Sequence, residues 1–262
     1  WNSLDADAMR VSITLETDAL NGLFAIEIDD NGHGIPHADI ETLFKKLGGS
    51  WKKARRYTNE RQRLLQGKEG KGRVRAFSLG RVVEWTIRYK EGDKLLTYPV
   101  RMVKEKPRHG EIDDPTPAPQ LNSSGVTVRI TELLSNFRSL SKEEAPADLA
   151  AIFALYLRQH PGIEVSINGE LLDPAAVVDF SKEYPLPDVK SNSGKTYPAQ
   201  IEVVEWKVRT PRKLFLCNAD GFPIDEQAPG VAAPSFEFSA YLKCDYFAEL
   251  QDSNAIDLAG MD

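Results

Sequence analysis

The chain has 262 residues, of which 41% are hydrophobic and 27% are charged, and its formal net charge is −6. This length suffices for one large domain or two ordinary ones, and the acidic balance argues against a protein that coats nucleic acid generally. No apolar run approaches the roughly twenty residues of a membrane-spanning helix, so we expect no membrane contact. Because the chain begins with Trp1 rather than Met, we expect a fragment of a longer protein.

The cysteines point to an intracellular, cytoplasmic protein. Cys217 and Cys244 both lie in apolar, strand-like sequence, which predicts two buried thiols in a reducing compartment. The four histidines have no metal-ligand spacing with these cysteines, so we predict no structural zinc.

The basic residues are concentrated in one segment. From Lys45 to Arg75 the chain carries twelve Lys or Arg against two acids, Glu60 and Glu69. Such a segment either meets a localised anion or is simply a solvated loop.

The first eighty residues predict the end of a helix, a hairpin, a short helix and a long loop. In order, these are the ranges 2–8, 9–16 with 23–28, 36–47 and 48–70, and a further helix is expected to start within 72–79. Loops of this length inside a compact domain are usually functional lids or disordered segments.

The remaining elements mix strands and helices without a βαβ alternation. We predict strands at 81–89, 95–103, 126–130 and 163–167 and a helix at 145–160. This order predicts an α+β protein, an α/β sandwich in which helices cover a mixed sheet. Pro and Ser become frequent at 181–199, which we interpret as a linker between a first domain, 1–180, and the start of a second α+β domain, 200–262.

Asp30 ends a predicted strand and is followed by Gly32 and Gly34. A carboxylate in this position can accept a hydrogen bond from an exocyclic amine, and the glycines allow the backbone to approach a flat ring. The simpler alternative is a turn, because Asp-Asn-Gly is an ordinary turn sequence.

A second glycine cluster, Gly67, Gly70 and Gly72, has the spacing Gly-x-x-Gly-x-Gly and precedes a predicted helix. Backbone amides and a helix N-terminus together favour an anion such as phosphate, although a flexible loop would look the same. The cluster is not a Walker A loop, since no Gly-Lys-Ser/Thr closes it, and no strand precedes it as in a Rossmann fingerprint.

Asn2 and Asp5 are three residues apart and share one face of the predicted helix. The carboxamide oxygen of Asn2 can coordinate a hard cation such as Mg²⁺. An ordinary polar helix end is the alternative.

In this order the three motifs resemble those of the GHKL ATPases, the Bergerat-fold group that includes gyrase, the heat-shock chaperone ATPases, MutL and the MORC proteins. The stretch from Asn2 to Ala6 resembles the second part of the family motif Glu-x-x-x-Asn-x-x-Asp-Ala. Residues 30–34 resemble Asp-x-Gly-x-Gly, and residues 67–72 resemble the lid hinge. Ser50-Trp51-Lys52 resembles the Ser-x-Lys element of the MutL and MORC lids. The resemblance covers roughly residues 1–170.

The resemblance implies a Bergerat fold with ATP and Mg²⁺ as ligands. It places Asp30, Gly34 and Asp5 at the adenine and Asn2 at the magnesium ion. The residues that it implies for the phosphates are Lys52, Gly67, Lys68, Gly70, Lys71, Gly72 and Arg73.

Two departures from the family leave questions open. The general-base Glu, four residues before Asn2, falls before Trp1, so ATP hydrolysis and ATP binding without turnover are both compatible with the sequence. The family has a Thr beside the adenine, and strict alignment at Gly125 puts Val126 there, whereas Thr127 would serve only with a one-residue slip.

The resemblance implies an ATP-hydrolysing conformational switch in which a lid at 48–72 closes and the protein forms a nucleotide-dependent homodimer. The client could be DNA or protein. The alternative is a nucleotide-sensing interaction module without turnover; a histidine kinase fits less well, because no phosphoacceptor helix is evident. The second domain would be a transducer, in which Arg212, Lys213 and Lys243 are candidates for reaching the γ-phosphate.

Overall fold

The computed structural model describes residues 1–45, 58, 60, 61, 63, 65, 75–107, 110–137, 140, 145–191, 193–207, 212–221, 223–231 and 237–252. The chain divides into two compact units. The first comprises Trp1–Pro146 and Gly162–Leu172, and the second comprises Ala147–Pro161 and Asp173–Asp262. Within the described ranges, no helix is both long and apolar enough to cross a membrane.

The first unit is built on a large mixed sheet. Its elements are α1 Asn2–Asp5, β1 Arg10–Thr17, β2 Leu23–Asp30, α2 His37–Lys45, β3 Gly80–Glu91, β4 Lys94–Val103, β5 Gly110–Ile112, β6 Thr116–Pro117, β7 Gly125–Leu133, β8 Glu164–Ile167 and β9 Glu170–Leu171. The strand order is β5-β4-β3-β7-β2-β1-β8-β9, with β6 paired to β4. The β1–β8 pair is parallel, while β1–β2 and β3–β4 are the antiparallel hairpins predicted from the sequence.

The core of the first unit lies on one face of this sheet. Side chains alternate between the two faces of a strand, and on this face Ile26 and Ile130 join an apolar cluster with Ile40 and Phe44 of α2. Phe44 meets Trp85 edge-on at 5.2 Å between ring centroids. The apolar spacing of the predicted helix at 36–47 is therefore explained, because these apolar side chains pack α2 against the sheet.

The opposite face of the sheet is polar. Arg129 on β7 bonds Glu16 of β1 and Glu27 of β2 there. Because side chains alternate along β2, Asp29 shares this polar face with Glu27, whereas Asp30 shares the core face with Ile26. Two consecutive acids thus enter different environments.

The helix α3, Ala145–Gln159, belongs to the second unit from Ala147 onward. The other elements of this unit are α4 Pro174–Val177, β10 Val178–Lys190, β11 Thr196–Trp206, β12 Lys213–Cys217, β13 Pro223–Gln227, β14 Phe238–Lys243 and α5 Asp245–Asp252. Its sheet has the order β10-β11-β14-β12-β13. The α+β class predicted from the sequence is confirmed: both units combine a mixed sheet with few helices.

The interpretation of residues 181–199 as a linker is wrong. Most of this range belongs to β10 and β11, which pair antiparallel. Pro185 and Pro187 suggested a linker because proline cannot donate to a strand ladder. They are accommodated because β10 is an edge strand, where one side of the backbone needs no partner strand.

Candidate functional site

Asp30 is a buried acid of the predicted adenine site, with only 5% of its surface exposed. Its Oδ1 accepts hydrogen bonds from the backbone N–H of Gly32 at 2.9 Å and of Val126 at 3.2 Å, and the Ser3 side chain also hydrogen-bonds it. Burial raises the pKa of Asp30, although these hydrogen bonds oppose the rise. A carboxylate has about four acceptor positions, so three donors leave room for one more.

The loop after Asp30 is joined to the segment after α1. The His33 N–H donates to the Ala6 carbonyl at 3.0 Å, and the Asn31 Oδ1 accepts from the N–H groups of Met9 at 2.9 Å and Arg10 at 2.8 Å. The structure therefore brings the first and second sequence motifs together. Within α1, Asp5 is buried and Asn2 is exposed.

Packing explains why the second motif has glycine at positions 32 and 34. A Cβ at Gly32 would lie 2.6 Å from the Ala6 carbonyl oxygen, and a Cβ at Gly34 would lie 2.0 Å from the Arg88 carbonyl oxygen. Gly34 also has a φ of +71°, which disfavours other residues. We expected these glycines to admit a flat ring, but the space that a side chain would need is filled by the protein's own backbone.

The register of β7 separates Thr127 from Asp30. Thr127 pairs with Asp29, and its hydroxyl donates to Asp29 Oδ1 at 2.5 Å on the polar face. The residue that meets Asp30 is Val126, through its backbone N–H. The one-residue slip that would put Thr127 beside Asp30 is therefore not observed.

Arg88 on β3 completes this arrangement, and the sequence did not single it out. Its Nη1 donates to Thr127 Oγ1 at 2.9 Å, and its Nη2 donates to Asp29 Oδ1 and to the Asp30 carbonyl, both at 2.8 Å. No local pattern could reveal this role, because the acceptors lie on two other strands.

A small hollow lies beside Arg88 and has a volume of about 150 Å³. Its lining residues are Arg10, Ser12, Asp29, Asp30, Asn31, Arg88, Leu121, Asn122 and Ser123. Because small-molecule sites usually exceed about 300 Å³, we assign no ligand to it.

The predicted phosphate residues lie outside the described residues. They are Lys52, Gly67, Lys68, Gly70, Lys71, Gly72 and Arg73. Over the part of the chain that is described, no group of three His, Cys, Asp or Glu side chains could hold a metal ion.

Each basic candidate in the second unit has a carboxylate partner. Lys243 bonds Glu202 at 2.7 Å and also bonds Glu183. Lys213 and Arg212 form ion pairs of 2.7 Å and 3.4 Å, with Glu226 and Glu237 respectively. Nothing in these contacts selects one of the three for a γ-phosphate.

Comparison with known proteins gives one family. Residues 1–129 match the model of the family described as histidine kinase-, DNA gyrase B-, and HSP90-like ATPase. No curated protein sequence matches the chain.

The solved structures that are similar to the chain include the following three. The Aquifex aeolicus MutL ATPase domain complexed with ADP is 14% identical over 100% of this chain and 93% of that one, with a TM-score of 0.43. The N-terminal domain of a DNA repair protein is 16% identical over 93% and 79%, with a TM-score of 0.47. The ATPase region of Saccharomyces cerevisiae topoisomerase II is 10% identical over 93% and 71%, with a TM-score of 0.49.

Proposed function

Because residues 1–129 belong to the histidine kinase-, DNA gyrase B- and HSP90-like ATPase family, we propose that the first unit binds ATP and that Asp30 receives the adenine amino group. The observation that carries this assignment is the buried Asp30 carboxylate, which is held by two backbone N–H groups and retains acceptor capacity. A carboxylate that burial has desolvated gains more from a correctly placed donor than an exposed one does.

In the proposed site, the triphosphate of ATP is bound by α1 and by the glycine cluster at 67–72. Asn2 is an exposed residue, and a carboxamide oxygen suits Mg²⁺, which prefers oxygen ligands. When bound, the ion would neutralise phosphate charge. Asp5 is buried on the same short helix and supports the adenine side of the site.

We extend the proposal to a nucleotide-driven conformational switch that hydrolyses ATP and forms a homodimer. The γ-phosphate supplies the differential contact that such a switch requires, because ATP and ADP then favour different states. In this scheme the second unit acts as the transducer and passes the state to a DNA or protein client. A measured rate of ATP hydrolysis distinguishes this switch from a module that binds ATP without turnover.

The adenine assignment is tested by titration calorimetry with ATP on Asp30→Asn. The substitution replaces an acceptor by a group that can present a donor, so we expect ATP affinity to fall roughly 10- to 100-fold. Asp29→Asn is the matched control: it changes the neighbouring acid on the polar face and retains an oxygen for Arg88 and Thr127. Unchanged affinity in Asp30→Asn, with wild-type affinity in the control, would show that adenine is not read by Asp30.

A further inference from the structure

Asp7 and Arg63 form a buried ion pair that no sequence motif indicates. Their side chains are 2% and 4% exposed, and Arg63 Nη2 lies 3.6 Å from Asp7 Oδ1. Asp7 follows α1 directly after Ala6, whereas Arg63 belongs to the basic segment between Lys45 and Arg75. The pair therefore connects two parts of the chain that are 56 residues apart.

The contacts around the pair attach Thr58, Glu60 and Arg63 to the residues that follow α1. Asp7 Oδ2 accepts the Glu60 N–H at 2.9 Å, the Thr58 side chain hydrogen-bonds Asp7 as well, and Arg63 Nη2 donates to the Ala8 carbonyl at 3.0 Å. Thr58 and Arg63 also bond each other, from the Thr58 N–H to the Arg63 carbonyl at 2.7 Å and from the Arg63 N–H to Thr58 Oγ1 at 3.0 Å.

Several features of this arrangement lower the free energy of unfolding, so stability alone does not explain it. Asp7 has a φ of +61°, which costs a residue with a Cβ roughly 1–2 kcal/mol. Asp7 Oδ1 and the Nε and Nη1 atoms of Arg63 are buried and find no hydrogen-bond partner among the described residues. Since desolvation offsets most of the attraction in a buried ion pair, the pair is better explained by the position that it imposes.

That position matters for the proposed nucleotide site. Asp7 is bonded through the chain to Ala6, whose carbonyl accepts from His33 and lies against Gly32. Asn2 and Asp5 stand on the same short helix. A fixed Asp7 therefore holds α1 and the loop after Asp30 in one arrangement with Thr58, Glu60 and Arg63.

We propose that Asp7 and Arg63 are positioning residues of the nucleotide site, which attach Thr58, Glu60 and Arg63 to the segment after α1 and so preorganise the site for ATP. This inference rests on the proposed function. Without the attachment, part of the binding free energy is used to bring Thr58, Glu60 and Arg63 into place, and the apparent affinity falls with the fraction of molecules in the competent state.

The main test is the double variant Asp7→Gly/Arg63→Leu of the 262-residue chain. Glycine suits the positive φ, and no unpaired charge is left buried, so we expect the thermal midpoint without nucleotide to stay near that of the wild type. By titration calorimetry, ATP should bind about tenfold more weakly. Arg61→Ala is the control, since it removes one exposed positive charge from the same segment and should leave the affinity unchanged.

Hydrogen exchange without nucleotide tests the attachment separately. In the wild type the Glu60 amide is bonded to Asp7 and should exchange slowly, whereas in the double variant it should exchange faster. Faster exchange with unchanged ATP affinity would overturn the positioning role. Unchanged exchange would overturn the attachment itself.

The exchange measurement also separates this inference from the proposed function. If the wild-type chain binds no ATP while its Glu60 amide is protected, the proposed function is wrong and the positioning role is lost with it, but the attachment stands. In the double variant, a fall in ATP affinity together with faster exchange and a retained thermal midpoint supports the proposed function, the attachment and the positioning role.

Discussion

Arg88 holds Asp30 by its backbone, because Nη2 of the guanidinium donates to the Asp30 carbonyl at 2.8 Å. The two residues lie on β3 and β2, which are separated by β7. The side chain can cross β7 because it passes over Gly125, where a Cβ would lie 2.8 Å from Arg88 Nη2 and 1.9 Å from the Asp30 carbonyl oxygen. The proposed adenine-binding acid is therefore supported from the opposite face of the sheet.

Arg88→Lys should weaken this support. Lysine keeps the charge but loses the planar fork that serves Asp29, Asp30 and Thr127 together. We expect the free energy of unfolding to fall by roughly 1–3 kcal/mol, measured by urea denaturation, and ATP affinity to fall with it. Arg101→Lys is the control, because its ion pair with Glu84 is exposed and worth at most about 1 kcal/mol. Equal effects of the two substitutions would contradict a special role for Arg88.

Gly34→Ala should be far more damaging than Gly92→Ala. Both glycines have positive φ, +71° and +58°, so both variants carry similar backbone strain of about 1 kcal/mol. Only at Gly34 does the new Cβ meet the Arg88 carbonyl oxygen, at 2.0 Å, while nothing lies within 4 Å of it at Gly92. Thermal melts should show a modest decrease for Gly92→Ala and a large decrease, or loss of folded protein, for Gly34→Ala. Similar melts would mean that the loop after Asp30 can move away from β3.

Asp7 and Asp30 should give pH dependences of opposite sign. Burial raises the pKa of Asp7, but hydrogen bonds from Thr58 and Glu60 and the charge of Arg63 outweigh it, so the pKa lies below its ordinary value. Its contribution to stability is therefore present above the ordinary carboxyl pKa and is lost as pH falls through the lowered one. For Asp30, where burial dominates and raises the pKa, the contribution is present at low pH and lost as pH rises through the raised value.

Unfolding free energies of Asp7→Asn and Asp30→Asn, measured across the acid range without nucleotide, check these signs. The wild type should lose more stability than Asp7→Asn as pH falls through the lowered pKa of Asp7. It should lose more than Asp30→Asn as pH rises through the raised pKa of Asp30. Each variant serves as the control for the other. If the stability difference between wild type and variant changed with pH in the same direction for both acids, the opposite pKa shifts of Asp7 and Asp30 would be contradicted.

Lys243→Met should destabilise the second unit more than Lys213→Met. Lys243 is 9% exposed and bonds Glu202, which is 5% exposed, so its removal takes a partner from a buried carboxylate and should cost about 3 kcal/mol. Lys213 is 36% exposed, and its loss should cost under about 1 kcal/mol. Chemical denaturation measures both. If Lys243→Met leaves stability unchanged but lowers ATP affinity, the lysine acts on the nucleotide rather than on its own fold.

The sequence by itself determined much of the local structure. Apolar alternation and turn residues predicted the hairpins at 9–28 and 81–103, and helical spacing predicted α2. The motifs around Asn2, Asp30 and Gly67 were sufficient to identify the resemblance that the family match over residues 1–129 supports. These signals are local, because side-chain periodicity and turn chemistry depend on a few consecutive residues.

Only the tertiary structure decided which residues meet. The sequence predicted a linker at 181–199, whereas in the structure most of these residues belong to β10 and β11, which pair at the edge of the sheet. Thr127 was a candidate for the adenine until the register placed it opposite Asp29. Arg88 and the Asp7–Arg63 pair join strands and segments that are distant along the chain. The reason is physical: strand register and the burial of charged pairs depend on contacts between distant residues, which no local period encodes.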